Sequence, residues 1–218
     1  MADTVITSGP DTITDGLILY LDAANHRSYP GSGTVWTDVS GNGNNGTLTN
    51  GPTFSSVNNG VIVLDGIDDY IDIDLNLSTQ NHTIMGAARY VTIGGRTFSG
   101  KNNNWLMGHW SSSTVKYYAN GWVTDSGGSE QSDTSWRNYA ATGNYSGDSW
   151  AFYVNGEIDT GPNSGGANGP NGFRIGRYGP SSSEYSNSHI SYIMAYDRVL
   201  SSAEIAQNHN AMKTRFGL

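Results

Sequence analysis

The chain has 218 residues and a formal net charge of −8, from 11 Lys and Arg against 19 Asp and Glu. An acidic surface is repelled by nucleic acid and by anionic lipid, and no apolar run is long enough to cross a bilayer, so we expect neither nucleic-acid binding nor membrane insertion. The chain contains no Cys, which excludes disulfides, zinc–thiolate sites and cysteine nucleophiles.

The N-terminal residues predict an arm followed by one β domain. Residues 1–15 are polar apart from Val5, Ile6 and Ile13, which is typical of an extended arm. They lack the charged start and apolar centre of a secretory signal, so export by that route is not expected. Residues 16–218 are expected to fold as a single domain, because β-sandwiches of this length are often single domains. Gly16–Asp22 is the first predicted strand.

The stretch Val61–Leu75 predicts a strand, a turn and a second strand. It begins with an apolar run, continues through the turn dipeptide Asp65-Gly66, and ends in Tyr70–Leu75, where apolar and polar residues alternate. We expect the two strands to pair with each other and to expose one face to solvent. The acids of the turn have two interpretations: they could converge on a hard cation, or they could bond nearby backbone as ordinary turn residues. They are Asp65, Asp68 and Asp69.

Aromatic residues are densest between Trp105 and Trp122. A sugar ring stacks its C–H face on an aromatic ring while its hydroxyls bond to polar neighbours, so sugar binding needs exposed rings beside amides and hydroxyls. This segment has that composition. The alternative is that its tryptophans belong to a sandwich core, as they often do. The candidate glycan-binding residues are Asn103, Asn104, Trp105, Trp110, Tyr118 and Trp122.

The C-terminal part predicts a hairpin and a helix. Asn155-Gly156, which lies between Trp150–Val154 and Glu157-Ile158, is a dipeptide typical of a type I′ turn. Farther on, Ser201 and Glu204 have capping-box spacing and predict a helix over Ala203–Thr214. We expect this helix to dock on the sandwich through Ile205, Met212 and Phe216.

Segments spread over most of the chain resemble the laminin-G-like, concanavalin A-like jelly-roll family, in the form found in structural proteins of tailed phages, marine phages especially. The resemblance implies an all-β fold, an antiparallel β-sandwich jelly roll with one C-terminal α-helix. It does not decide function, because this fold serves lectins, adhesion modules and glycanases. The segments are Asp15–Asn25, Trp36–Gly46, Leu64–Tyr70, Tyr153–Gly156 and Tyr196–Leu218.

The resemblance also implies a calcium ion, since proteins of this fold often hold one. Its candidate ligands are Asp22, at the end of the first strand, and Asp197, in the last, because a jelly roll commonly brings its terminal strands together. Asp65 and Asp68 are competing candidates. The alternative is that all four cap turns or pair with arginines, Arg198 and Arg177.

No residue is assigned a catalytic role. Glycoside hydrolysis needs two carboxyls roughly 5–10 Å apart. The glutamates of this chain do not form the Glu-x-Asp-x-x-Glu strand pattern that glycanases of this fold use. The histidines lack paired metal-ligand spacing, and the chain has neither a Gly-x-Ser-x-Gly elbow nor a phosphate-binding loop. We therefore expect a protein that is not an enzyme.

The resulting hypothesis is a non-catalytic structural or decoration protein on the virion surface of a phage, assembled in the host cytoplasm. Its partners would be capsid or tail proteins, with host surface polysaccharide as a further ligand, and it could form a homo-oligomer. The alternative is a calcium-dependent carbohydrate-binding lectin. A glycanase is a third and less favoured interpretation.

Overall fold

The computed structural model describes residues 11–111, 113–124 and 133–218. The first ten residues of the predicted arm lie outside these ranges. The strands are β1 (Leu17–Asp22), β2 (Val35–Trp36), β3 (Gly46–Thr49), β4 (Thr53–Ser55), β5 (Val61–Asp65), β6 (Tyr70–Asn76), β7 (His82–Thr92), β8 (Arg96–Gly100), β9 (Trp105–Trp110), β10 (Ser113–Ala119), β11 (Arg137–Asn144), β12 (Ser149–Val154), β13 (Glu157–Asn163), β14 (Asn171–Ile175) and β15 (Asn187–Tyr196).

The strands of the described ranges form two antiparallel sheets, which confirms the predicted sandwich. The back sheet has the order β13-β12-β11-β7-β15-β5-β4, and β1 pairs with β15 on the edge that β15 shares with β5. The front sheet has the order β10-β9-β8-β14-β6-β3-β2. None of the helices in the described ranges is long and apolar enough to cross a membrane.

Large aromatic side chains fill the space between the sheets. Aromatic residues bury large areas, so a few of them can build a core in a chain that has only 36% hydrophobic residues. At Gly86 of β7, a Cβ would lie 2.7 Å from Cζ of Phe98, so the absent side chain lets the front sheet approach closely. The buried aromatic residues of this core include Trp36, Phe98, Trp105, Tyr117, Tyr139, Trp150, Phe152 and Phe173.

A second apolar layer covers the outer face of the back sheet. Helix α1 (Ser202–Met212) lies over it, followed by a 3₁₀ turn at Lys213–Arg215, so the helix ends slightly earlier than predicted. The predicted capping box is present: Ser201 Oγ accepts from the Glu204 backbone N–H, and Glu204 accepts from the Ser201 N–H. The predicted docking residues are buried in this layer: Ile205, Met212 and Phe216.

Residues 11–15, the end of the predicted arm, lie along α1. The Ile13 N–H donates to Asn208 Oδ1 at 2.7 Å, and the Tyr196 hydroxyl donates to the Ile13 carbonyl at 2.9 Å. Gln207 Nε2 donates to the Asp11 carbonyl at 2.8 Å. This part of the arm is therefore bonded to the domain.

The pairing expected within Val61–Leu75 is wrong. β5 pairs with β15 and β4 in the back sheet, whereas β6 pairs with β14 and β3 in the front sheet. The turn at residues 66–69 therefore carries the chain from one sheet to the other. β5 is apolar on both faces, and its residues Val61, Ile62 and Leu64 are buried. The alternation of β6 is confirmed, with Ile71 and Ile73 in the core.

The hairpin prediction is confirmed. β12 and β13 pair, and the turn residues Asn155 and Gly156 both have positive φ, 52° and 84°. A type I′ turn requires this conformation at both positions.

Candidate functional site

Three partly exposed aromatic side chains meet at the β10 edge of the front sheet. Tyr117 points into the core, so its neighbour Tyr118 faces outward. The rings of Trp110 and Trp122 are 5.6 Å apart, and those of Tyr118 and Trp122 are 5.1 Å apart. We call Trp110, Tyr118 and Trp122 the Trp110 patch. Lys116 Nζ lies 5.6 Å from the centre of the Trp122 ring.

A buried arginine supports the patch from one side. Arg96 is only 3% exposed, and its guanidinium lies between the rings of Trp110, at 5.8 Å, and Tyr178, at 4.3 Å. Its Nε donates to Glu184 Oε2 at 2.8 Å, and a second nitrogen donates to Asn104 Oδ1 at 2.9 Å. Burial lowers the pKa of Arg96, and the Glu184 carboxylate opposes that shift.

Glu184 also fixes the orientation of Trp110. The indole Nε1–H donates to Glu184 Oε2 at 3.0 Å, the same oxygen that accepts from Arg96. Glu184 has a positive φ of 55°, an uncommon conformation for a residue other than Gly, Asn or Asp. The exposed ring of Trp110 is therefore held in one position before any ligand arrives.

A loop at residues 177–186, which we call the cover loop, lies on the outer face of the front sheet. Arg174 binds both carboxylate oxygens of Asp72, at 2.5 and 2.6 Å, and donates to the Gly179 carbonyl. Arg177 lies 4.3 Å from the Tyr70 ring and donates to the Ser182 and Tyr185 hydroxyls. These contacts hold the loop that carries Glu184 to the patch.

The structure brings together four of the six predicted glycan-binding residues. Trp110, Tyr118 and Trp122 form the patch, and Asn104 touches it through Arg96. Of the other two, the prediction is wrong for Trp105, and that for Asn103 stays a prediction. Trp105 is fully buried, with its ring 5.9 Å from Tyr117. Asn103 stabilises a loop, because its amide donates to the Gly169 carbonyl and accepts from the Asn171 N–H.

Sequence reasoning missed Arg96, Tyr178 and Glu184. Arg96 and Glu184 are 88 positions apart, and no local motif links them. The strand alternation, in contrast, could have separated the tryptophans. Trp105 and Trp110 differ by an odd number of positions within β9, so their side chains lie on opposite faces of the sheet.

Acidic oxygens converge at the turn between β5 and β6. Ligand atoms of Asp65, Asp68 and Asp69 all lie within 4.8 Å of one another. Burial, followed by repulsion from Asp65 and Asp68, raises the pKa of Asp69. A hard cation would relieve this repulsion, so the donor set fits calcium. The same carboxylates also make turn bonds, since Asp65 accepts from the Ile67 N–H and Asp69 accepts from the Asp65 N–H.

Asp22 and Asp197 do not converge. β1 and β15 are adjacent, as expected for terminal strands, but Asp22 lies opposite Tyr192, whereas Asp197 follows Tyr196 at the other end of the ladder. Five residues of strand separate the two carboxylates by roughly 16 Å. Asp22 is instead paired with Arg215 at 2.9 Å, and Asp197 is exposed. The prediction of a shared calcium site is wrong for this pair.

No family model matches the chain, and no curated protein matches its sequence. Solved structures do match. The binding domain of Paraclostridial Mosquitocidal Protein 1 has a TM-score of 0.66 and 15% identity, over 91% of this chain and 52% of that chain. Domain 4 of AbnA, an extracellular GH43 arabinanase from Geobacillus stearothermophilus, was solved with arabinotriose. It has a TM-score of 0.64 and 16% identity, over 88% of this chain and 98% of that domain.

Trypanosoma rangeli sialidase, solved with 2,3-difluorosialic acid, has a TM-score of 0.65 and 13% identity. The match covers 95% of this chain and 35% of the sialidase. This chain therefore spans about a third of the sialidase, about half of the mosquitocidal structure and nearly all of the arabinanase domain. At these identities the likeness shows a shared β-sandwich fold.

Proposed function

We propose that the chain is a glycan-binding domain without catalytic activity, and that the Trp110 patch holds the sugar. The observation that carries this proposal is the meeting of Trp110, Tyr118 and Trp122 on one open face, with all three rings partly exposed. Each ring offers a surface for the C–H face of a sugar. Glu184 places a carboxylate at the Trp110 indole, and its second oxygen can accept a hydrogen bond from a sugar hydroxyl.

The rigidity of the patch supports this proposal. Glu184 and Arg96 fix Trp110 before binding, so less side-chain entropy is lost when a ligand docks. Two structures of similar fold, the arabinanase domain and the sialidase, were solved with sugars or sugar derivatives. The net charge of −8 disfavours polyanionic chains, so a neutral glycan is the proposed ligand.

The absence of catalysis is part of the proposal. Glycoside hydrolysis requires two carboxyls roughly 5–10 Å apart at the sugar. Over residues 11–111, 113–124 and 133–218, Glu184 is the carboxylate bonded to a ring of the patch, and its Oε2 already accepts from Arg96 and Trp110. Prolonged incubation with arabinan and with β-glucan should release no reducing ends. Steady release would contradict this part of the proposal.

Glycan-array screening of the purified chain, followed by titration of the best neutral oligosaccharide, tests the binding site. Trp122→Ala and Trp110→Ala should each weaken binding at least about tenfold, because both rings lie at the centre of the patch. The matched control is Tyr145→Ala, which removes a 41% exposed aromatic residue at the β11–β12 turn. Equal affinity of the Trp122→Ala and Tyr145→Ala variants would exclude this site.

A more specific role, that of a decoration protein on the surface of a virion, is proposed from the family resemblance. In this role the chain would dock on capsid or tail proteins, with the Trp110 patch facing host polysaccharide. Mass spectrometry of purified virions should find the protein at high copy number. Its absence from intact particles would remove this role and leave the glycan-binding proposal standing.

A further inference from the structure

We propose a second and separate binding site, for a single neutral sugar unit, at the opposite edge of the sandwich. A pocket of about 170 Å³ lies between the loop after β1, the edge strand β4 and the turn at residues 57–60. We call it the Phe54 pocket. β4 is the outermost strand of the back sheet on one side, whereas the Trp110 patch lies at the β10 edge of the front sheet on the other side.

Phe54 supplies an aromatic surface to this pocket. It is 36% exposed, and its ring contacts Tyr29 at 5.9 Å with a tilt of 46°. Tyr29 is buried, and its hydroxyl is used inside the loop, where it donates to the Gly33 carbonyl. The neighbouring lining residues are small, including Ala23 and Gly31, so the face of Phe54 stays accessible. An exposed aromatic ring surrounded by small side chains can stack against the C–H face of a sugar.

Polar groups at the rim have unused hydrogen-bonding capacity. His26 and Asn59 line the pocket and are exposed. Neither side chain has a hydrogen-bond partner among the residues that the structure describes. Their imidazole and amide can therefore donate to and accept from sugar hydroxyls.

The turn that carries Asn59 is held in an unusual conformation. Asn58 and Asn59 both have positive φ, 51° and 66°, which costs conformational free energy. Gly60 lies against the backbone, where a Cβ would approach the Ala23 carbonyl oxygen to 2.5 Å. Asn58 Nδ2 donates to the Arg215 carbonyl at 2.6 Å. The turn is thus fixed from both sides, and it holds the Asn59 amide at the rim of the pocket.

Size and charge identify the class of ligand. Pockets for drug-sized molecules begin at roughly 300 Å³, so this smaller cavity accepts one sugar ring and not an oligosaccharide. Asp, Glu, Lys and Arg are all absent from its lining. None of these four residue types is there to pair with a charged ligand, so the pocket suits the end unit of a neutral glycan.

The second site is tested by titrating the isotope-labelled full chain with single sugars and measuring the backbone amide chemical shifts by NMR. The sugars are L-arabinose, D-galactose and D-glucose, with D-glucuronic acid as the charged comparison. A Trp122→Ala background weakens binding at the Trp110 patch, and the positions of the shifted amides separate the two sites. At least one neutral sugar should bind with a millimolar dissociation constant and shift amides around Ala23, Phe54 and Asn59, and glucuronic acid should not.

Two variants separate this binding from weak nonspecific contact. Asn59→Gly keeps the positive-φ backbone and removes only the amide, so it should weaken binding about fivefold. Phe54→Ala should abolish binding. Asn120→Gly, a matched change at another exposed positive-φ Asn, should have no effect. The proposal is overturned by unshifted amides at about 100 mM of each neutral sugar, by equal affinity of the Asn59→Gly variant, or by equal binding of glucuronic acid.

Discussion

His82 and His109 are imidazoles buried inside the sandwich. Burial lowers the pKa of His82 to about 4 and that of His109 to about 3. A histidine in the unfolded chain titrates near 6.5. Below that pH the unfolded state therefore binds more protons than the folded state, so stability is complete above pH ~6.5 and falls as the pH drops toward about 4.

Thermal unfolding between pH 7.5 and 4.5 checks this acid sensitivity. The chain should lose on the order of 2 kcal/mol per buried imidazole over this window. His82→Asn keeps a donor for the Gln80 carbonyl, which lies 2.8 Å from His82 Nδ1, and should reduce the pH dependence. His26→Asn, at an exposed position, is the control. A melting temperature that is constant over the window would contradict the prediction.

The acidic turn gives a prediction about calcium. If Asp65, Asp68 and Asp69 hold the ion, millimolar calcium should raise the melting temperature by mass action, and a chelator should reverse the shift. Asp68→Asn should abolish the shift, while Asp197→Asn should retain it. An unchanged melting temperature would favour the interpretation as turn residues. Glycan-array signals with and without chelator would show whether sugar binding depends on the ion.

Helix α1 depends on its capping box. Ser201→Ala removes the acceptor for the Glu204 N–H, and loss of such a cap costs about 1 kcal/mol. Chemical denaturation should show this loss, with Ser32→Ala, the same change at an exposed loop position, as the control. Because α1 covers the back sheet and not the Trp110 patch, glycan affinity should stay unchanged. A parallel loss of affinity would mean that the two faces are coupled.

Elements whose signals are local could be predicted from the sequence. The Asn155-Gly156 hairpin and the Ser201 cap each depend on residues within four positions of one another, so short-range chemistry decides them. The pairing of β5 and β6 and the convergence of Asp22 and Asp197 failed for the opposite reason. Which sheet a strand joins, and in which register, depends on partners more than a hundred positions away. The candidate site followed the same division: the three rings of the Trp110 patch were among the predicted residues, whereas the Arg96–Glu184 pair that supports them was not.

At the scale of the whole molecule, the N-terminal segment has two parts with different expected roles. Among the described residues the bonds to α1 begin at Asp11, and deletion of residues 1–10 keeps all of these bonds, so we expect an unchanged melting temperature. Deletion of residues 1–14 also removes Ile13 and its two hydrogen bonds, and should cost roughly 2–3 kcal/mol. Equal stability of the two truncations would show that the Ile13 contacts contribute little.

β15 is among the last elements of the chain, yet it lies in the interior of the back sheet and bonds to β7, β5 and β1. During synthesis, the edges of β1, β5 and β7 that pair with β15 in the folded domain therefore leave the ribosome unpaired. They can pair only after residues 187–196 have been synthesised. Exposed strand edges invite association between chains. Translation of a messenger RNA truncated before β15 should yield a product that aggregates. Chaperones should bind the nascent chain strongly until β15 has left the ribosome.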